Sequence, residues 1–288
     1  MAYSLNCRGR LLRLDRPQVM GILNLTPDSF SDGGEFQELE QAFRHAEGML
    51  EAGATIIDIG GFSSRPKAAI VSEQEELDRI YSITQGLIER FPEALISVDT
   101  YRPEVARQML DLGVHIINDI SAGRGLTNEE KADSGMMDLV AKYKDVPYIM
   151  MHMQGTPQTM QEQPDYDNVL TEVSDFFVGR LKMAQKAGLK DVILDPGFGF
   201  GKSILHNYQL WAGLDQFKWL DRPLLVGISR KSMMYRLFET HPKDVLDLSS
   251  VLHYKAIEKG AHLLRVHDVR EAVRVVALHQ YLSANGVV

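Results

Sequence analysis

One short unit occurs four times along this chain and constrains its fold more than any other feature. In EAGATIIDIGG, DLGVHIINDIS, KAGLKDVILDPG and EKGAHLLRVHD, a helix-like stretch passes through a glycine into an apolar run that ends in polar or charged residues. Gly53, Gly113, Gly188 and Gly260 stand where a left-handed helix terminus favours a residue without Cβ. The runs that follow have the length and β-branched content of strands buried on both faces. LISVDT from Leu95, VPYIMMH from Val146, RPLLVGIS from Arg222 and VMGILNL from Val19 fit the same pattern without the glycine, which makes eight strands. Between them the apolar residues recur at helical spacing, as in Leu77, Ile80, Ile83, Leu87 and Ile88, or Val169, Val173, Phe176, Phe177 and Leu181. Strand then helix, repeated, implies a parallel sheet. Eight such units in a chain near the usual ~250 residues of that architecture favour a closed (β/α)8 TIM barrel of the α/β class over an open doubly wound sheet. No linker divides the chain, so residues 1–288 are expected to form a single domain with a short N-terminal extension over about 1–17. The third unit is the tightest, with room only for a helix from about Pro103 to Leu112.

Charge narrows the partners. With 31 Lys and Arg against 39 Asp and Glu, the net charge of −8 lacks the broad basic field that a nucleic acid or an anionic membrane surface requires. An anionic ligand would have to be met by local basic groups. Cys7 is the one cysteine, which excludes an internal disulfide and a thiolate zinc site and suits a reducing compartment. Cys7 itself reads as a bystander. The opening MAYSLNCRGRLLRL is broken by arginines, unlike a signal peptide, and no later run has the roughly 18 apolar residues of a membrane helix. A cytoplasmic protein is expected.

In a barrel the active site forms where the strands end at their C-termini. The residues there are Asn24, Asp58, Asp99, Asn118, Asp119, His152, Asp195, Ser229, Arg230, Lys231, Arg265 and His267. Any one Asp or Asn among them is equally well a turn or helix cap. Their convergence on a single rim favours function. DPGFGFGK, from Asp195 to Lys202, is the sharpest feature: its glycines permit a tight loop, and Phe198 and Phe200 are expected to escape the core and wall a flat ligand. It matches neither the phosphate-loop nor the dinucleotide spacing.

MGILNLTPDSFSDGG, DIGGFSSRPKA, ISVDT, IINDIS, MHMQGTPQTMQ, LDPGFGFGK, LLVGISRKS and LLRVHD, taken in order, resemble the motifs of dihydropteroate synthases and cover nearly the whole chain. The resemblance implies a homodimeric transferase that condenses (7,8-dihydropterin-6-yl)methyl diphosphate with p-aminobenzoate to 7,8-dihydropteroate and pyrophosphate. It implies a pterin pocket of Asp99, Asn118, Asp195 and Lys231, with Asp99, Asp195 and Lys231 the catalytic groups. Carboxylate acceptors, an amide and a cationic donor complement the amino group, ring N–H and carbonyl of a pterin. Met151 is either a wall against the ring or a core methionine.

By the same resemblance, the diphosphate falls to Ser64, Arg65, Arg265, Val266 and His267, and to Mg2+ on Asn24. One amide plus substrate phosphates suffices to anchor a hard cation that keeps its waters, and Asp28 or Asp32 is a candidate further ligand. Phe30, Pro66, Phe200 and Ser232 are implied for p-aminobenzoate, a pocket in which sulfonamides would compete. The expected chemistry is SN1-like: the C–O bond to the diphosphate breaks first, and the two carboxylates stabilise the pterin cation until the amine attacks. Phe62 and Lys67 depart from the common family form, which has glutamate and glycine at these places. Two alternatives stand beside this reading. A non-catalytic pterin carrier would not need Asn24, Arg65, Arg265 and His267, and a corrinoid methyltransferase fits the NLTPDSF, RPKA and GISRKS strings less well.

Overall fold

The computed structural model describes residues 3–25, 35–65, 68–69, 71–126, 132–162 and 164–287. Its first element is a hairpin of β1 (Ser4–Cys7) and β2 (Arg10–Arg13), paired antiparallel. Arg8 and Gly9 turn the chain with φ of 54° and 83°, the double left-handed step that matches strand twist in a two-residue loop.

Eight parallel strands follow: β3 (Gln18–Asn24), β4 (Ile56–Gly60), β5 (Leu95–Asp99), β6 (Ile116–Asp119), β7 (Tyr148–Met151), β8 (Val192–Asp195), β9 (Leu225–Val226) and β10 (Leu263–Val266). They pair in the order β8-β7-β6-β5-β4-β3-β10-β9, and a parallel bridge from Leu194 to Leu224 joins the two ends, so the sheet closes on itself. Helices α1 (Glu35–Glu51), α2 (Glu73–Arg90), α3 (Pro103–Leu112), α4 (Met136–Lys142), α5 (Val169–Ala187), α6 (Ile204–Ala212), α7 (Ser232–Tyr235), α8 (Leu246–Glu258) and α9 (Val269–Ala284) alternate with the strands. This is the (β/α)8 barrel. The four repeated glycines stand at φ of 101°, 109°, 90° and 103°, so each helix-to-strand return uses backbone space that a side chain resists.

Side-chain alternation along the strands builds the interior. One residue from each strand, namely Met20, Ile56, Leu95, Ile116, Ile149, Ile193, Leu225 and Leu263, forms an apolar cluster inside the barrel. Leu5, Cys7, Leu12 and Leu14 belong to that cluster, so the N-terminal segment is a plug under the barrel rather than a loose extension. Cys7 is correspondingly a packing residue and no bystander. Burial pushes its thiol up to about 12, which leaves it without thiolate reactivity. Two residues further along each strand the same face presents Ile22, Asp58, Ser97, Asn118, Met151, Asp195, Gly227 and Arg265. The barrel lining thus changes from wholly apolar to mainly polar in one step, and that change makes the floor of a site.

Candidate active site

Arg265, from the end of β10, organises the floor. Its Nε donates to Asp58 Oδ2 at 2.7 Å and its Nη2 to Asp99 Oδ2 at 2.9 Å, while Asn118 Nδ2 donates to the same Asp58 oxygen at 3.0 Å. Against the cost of its own burial, Asp58 and Asp99 hold the guanidinium firmly protonated. The other carboxylate oxygens, Asp58 Oδ1 and Asp99 Oδ1, are buried and have no hydrogen-bond partner among the described residues. Buried acceptors without donors cost free energy that a ligand N–H can recover. Burial pushes Asp99 up to about 7, with Arg265 opposing and Asp58 adding to the shift.

Asp195 closes the floor from the β8 side. One of its oxygens accepts from the Gly197 amide at 2.8 Å. Burial raises its pKa, and the Gly197 amide and the Lys231 ammonium oppose that shift. Lys231 lies 4.3 Å from the centre of the Phe200 ring, and burial with the nearby Arg265 charge lowers it to about 8. Gly227 sits between the two charged strands without filling the space: a Cβ there would be 3.9 Å from Arg265 Cβ and 4.0 Å from an Asp195 oxygen. Asp99, Asn118, Asp195 and Lys231, expected together from the sequence, therefore surround one floor.

The anionic end is arranged around it. The Asn24 carboxamide oxygen lies beside Gly60, 3.6 Å from where a Cβ would stand, and Asp99 flanks the same point. His267 is exposed at the rim, and its backbone N–H donates to Ser229 Oγ at 3.2 Å. Ser64 is half-buried and Arg65 exposed in the segment after β4. Ser232 opens α7 directly after Lys231. The Val266 side chain is buried in the layer between sheet and helices. Phe30, Pro66, Asp28, Asp32 and Lys67 lie outside the described residues.

Other rim residues prove to be structural. Asp119 is saturated by Ser121 N, Ser121 Oγ, Gly123 N and the Tyr148 hydroxyl. Arg230 adopts φ of 55° and pairs with Asp268 in a bidentate contact through Nε and Nη2. His152, held neutral by burial and the Lys202 charge, binds that lysine through Nδ1. Of the two loop aromatics, Phe198 is 1% exposed in the main core and only Phe200, at 9%, belongs to the mouth, where it packs with Ile120, Met151, Met153 and Met160. The expectation that both phenylalanines leave the core is thus half right. Phe62, the departure in the second loop, meets Tyr101 edge-on at 5.1 Å and 88°. Arg102 lies 4.9 Å from the Tyr101 ring and bonds Glu76 and the Val71 carbonyl, while Arg79 donates to the Gly61 carbonyl at 2.9 Å.

Similarity to known proteins follows the same lines. The profile of the pterin binding enzymes matches residues 20–267. The dihydropteroate synthase of Escherichia coli K12 is 47% identical over 271 residues, 93% of each chain. The chain belongs to the dihydropteroate synthase family. Dihydropteroate synthases of known structure superpose on it closely. The Yersinia pestis enzyme, solved with a sulfonamide drug, gives a TM-score of 0.88 at 44% identity over 98% of this chain and 100% of that one. The Xanthomonas albilineans enzyme with 4-aminobenzoic acid gives 0.89 at 40% identity over 99% of both. Membership of the dihydropteroate synthases makes this chain a transferase.

Proposed function

We propose that this rim joins (7,8-dihydropterin-6-yl)methyl diphosphate to p-aminobenzoate, with Asp99, Asn118, Asp195 and Lys231 holding the pterin. The observation that carries the reading is the pair of buried, unpartnered carboxylate oxygens on Asp58 and Asp99 beside Arg265, which a flat heterocycle with several N–H donors would satisfy. The C–O bond to the diphosphate breaks, leaving a cation delocalised over the pterin. Asp99 and Asp195 stabilise it electrostatically in a water-poor site. The arylamine nitrogen then forms the new C–N bond and loses a proton, and pyrophosphate departs. A neutral aniline needs no strong base, which fits a floor whose histidine, His152, is committed to Lys202.

Arg65 and His267 are the groups we assign to the diphosphate, with Ser64 and the main chain of Val266. Arg265 acts there with its guanidinium already anchored on two carboxylates. Mg2+ fits the donor available: the Asn24 carboxamide oxygen at the mouth offers a hard donor to a cation that phosphates and water would otherwise surround. When bound on Asn24, it would neutralise charge on the departing pyrophosphate. For p-aminobenzoate we assign Phe200 and Ser232, to which the family resemblance adds Phe30 and Pro66, both outside the described residues; a sulfonamide would take the same place.

Among the described residues no helix is long and apolar enough to cross a membrane. Release of pyrophosphate on mixing the dihydropterin diphosphate with p-aminobenzoate tests the activity, and its absence would refute it. Positional isotope exchange within the diphosphate tests the order of steps. Exchange without amine supports cleavage first, and exchange that strictly needs amine rejects it.

A further inference from the structure

Two loops interlock beside the pterin floor, and the reaction scheme leaves the side chains that tie them without a role. The segment from His152 to Gln161, after β7, packs against the glycine-rich loop after β8. The approach excludes side chains at two points: a Cβ on Gly197 would stand 1.8 Å from the His152 carbonyl oxygen, and one on Gly201 2.3 Å from that of Gln154. Side chains then tie the loop down. Lys202, fully enclosed, aims its ammonium at the Gly197 carbonyl (2.9 Å), the Phe200 carbonyl (3.0 Å) and His152 Nδ1 (2.9 Å), which uses all three of its donors. Asn207 accepts from the Gly199 amide at 2.7 Å, and Gln161 Nε2 donates to the Gly199 carbonyl, also at 2.7 Å. Gly199 is thus held at both its amide and its carbonyl. It is also the residue against which Lys231 lies, since a Cβ there would be 3.3 Å from Lys231 Cδ, and its neighbour Phe200 carries the ring under the Lys231 ammonium.

We propose that Gln161 and Lys202 are positioning residues, fixing the tip of the glycine-rich loop so that Phe200 and Lys231 meet the substrates in a single arrangement. Three alternate glycines, Gly197, Gly199 and Gly201, all at positive φ, give the loop little stiffness of its own. Its order is therefore supplied by side-chain ties: Gln161 and His152 from the preceding loop, Lys202 from the loop's own end and Asn207 from α6. Gln161 acts only on the tip. Lys202 acts on the tip and also on the Gly197 peptide, whose amide bonds Asp195. The proposal rests on the synthase reading of the rim.

The test compares Gln161→Leu, Gln161→Lys, Lys202→Met and Phe200→Ala by kcat, by KM for each substrate and by thermal unfolding. Phe200→Ala identifies which substrate the ring serves. Gln161→Leu should raise KM for that same substrate on the order of tenfold, the scale of one lost hydrogen bond, with the other KM and Tm little changed. Gln161→Lys restores a donor to the Gly199 carbonyl and should recover most of the loss. Lys202→Met should raise both KM values; if it does not fold, the half-buried Gln161 still decides. Unchanged KM values in Gln161→Leu, or a rise only for the substrate that Phe200→Ala spares, overturn the proposal. If the unmodified chain releases no pyrophosphate, the synthase reading fails instead. Amide exchange at Gly199 and Phe200 then decides, since Gln161→Leu must accelerate it and Gln161→Lys restore it.

Discussion

Asp99 is the side chain on which the pH response of this enzyme should turn. Burial places its pKa near 7, so lowering the pH through neutrality protonates it, whereas an ordinary carboxylate would stay charged. Both roles assigned to it, accepting from pterin N–H and stabilising a cation, need the ionised form. The expected result is that kcat/KM falls as pH drops through about 7 and that Asp99→Asn, already slow, loses this limb. A profile flat from about pH 8 to 6 would show that Asp99 is not the group that matters. Gly227 offers an independent check. An added methyl faces an Asp195 oxygen and Arg265 at ordinary contact distance, so Gly227→Ala should fold normally yet occupy floor space meant for the pterin. We expect pterin KM to rise by about tenfold or more with an unchanged Tm, measured by steady-state kinetics and thermal melts.

At the level of elements, the strands and helices were legible because four of the eight apolar runs follow a glycine and the other four share their length and polar ends. The third helix falls on Pro103–Leu112 as its spacing implies, and α2 and α5 contain the periodic residues read from the sequence. The hairpin was not legible. Its strands are four residues each, too short for alternation to stand out, and an Arg-Gly turn lacks the usual Asn-Gly signal. Yet it seals the apolar ring, so Leu12→Ala should cost about 2–5 kcal/mol, read as a lower urea midpoint. The site followed from strand ends, and Asp58 carried a signal that the rim survey left unassigned: it stands two residues after Ile56, on the inward parity. Phe198 and Phe200 were not separable beforehand. Positive φ at alternate glycines breaks the period-two rule on which face assignment depends. Gln161 and Lys202 lie far apart in sequence and hold the loop mainly through backbone carbonyls, which no side-chain pattern announces.

For the molecule as a whole, α8 and α9 leave Val251, Leu278 and Tyr281 exposed, the last at 69%. We propose that two copies of the chain pair through this face, and a stable contact would need about 800 Å² from each copy. Sedimentation should therefore give twice the chain mass, and Leu278→Glu should shift the population toward monomer; a wild-type chain that sediments as a monomer would end that assignment. The hairpin has a consequence for traffic through the barrel as well. With hairpin and apolar layer filling everything below the polar floor, the site has one open end, so on the proposed arrangement the heterocycle has to enter before the amine can cover it. The joined product must then leave by the way both came, and an aniline-like drug finds its seat complete only after the first guest has arrived.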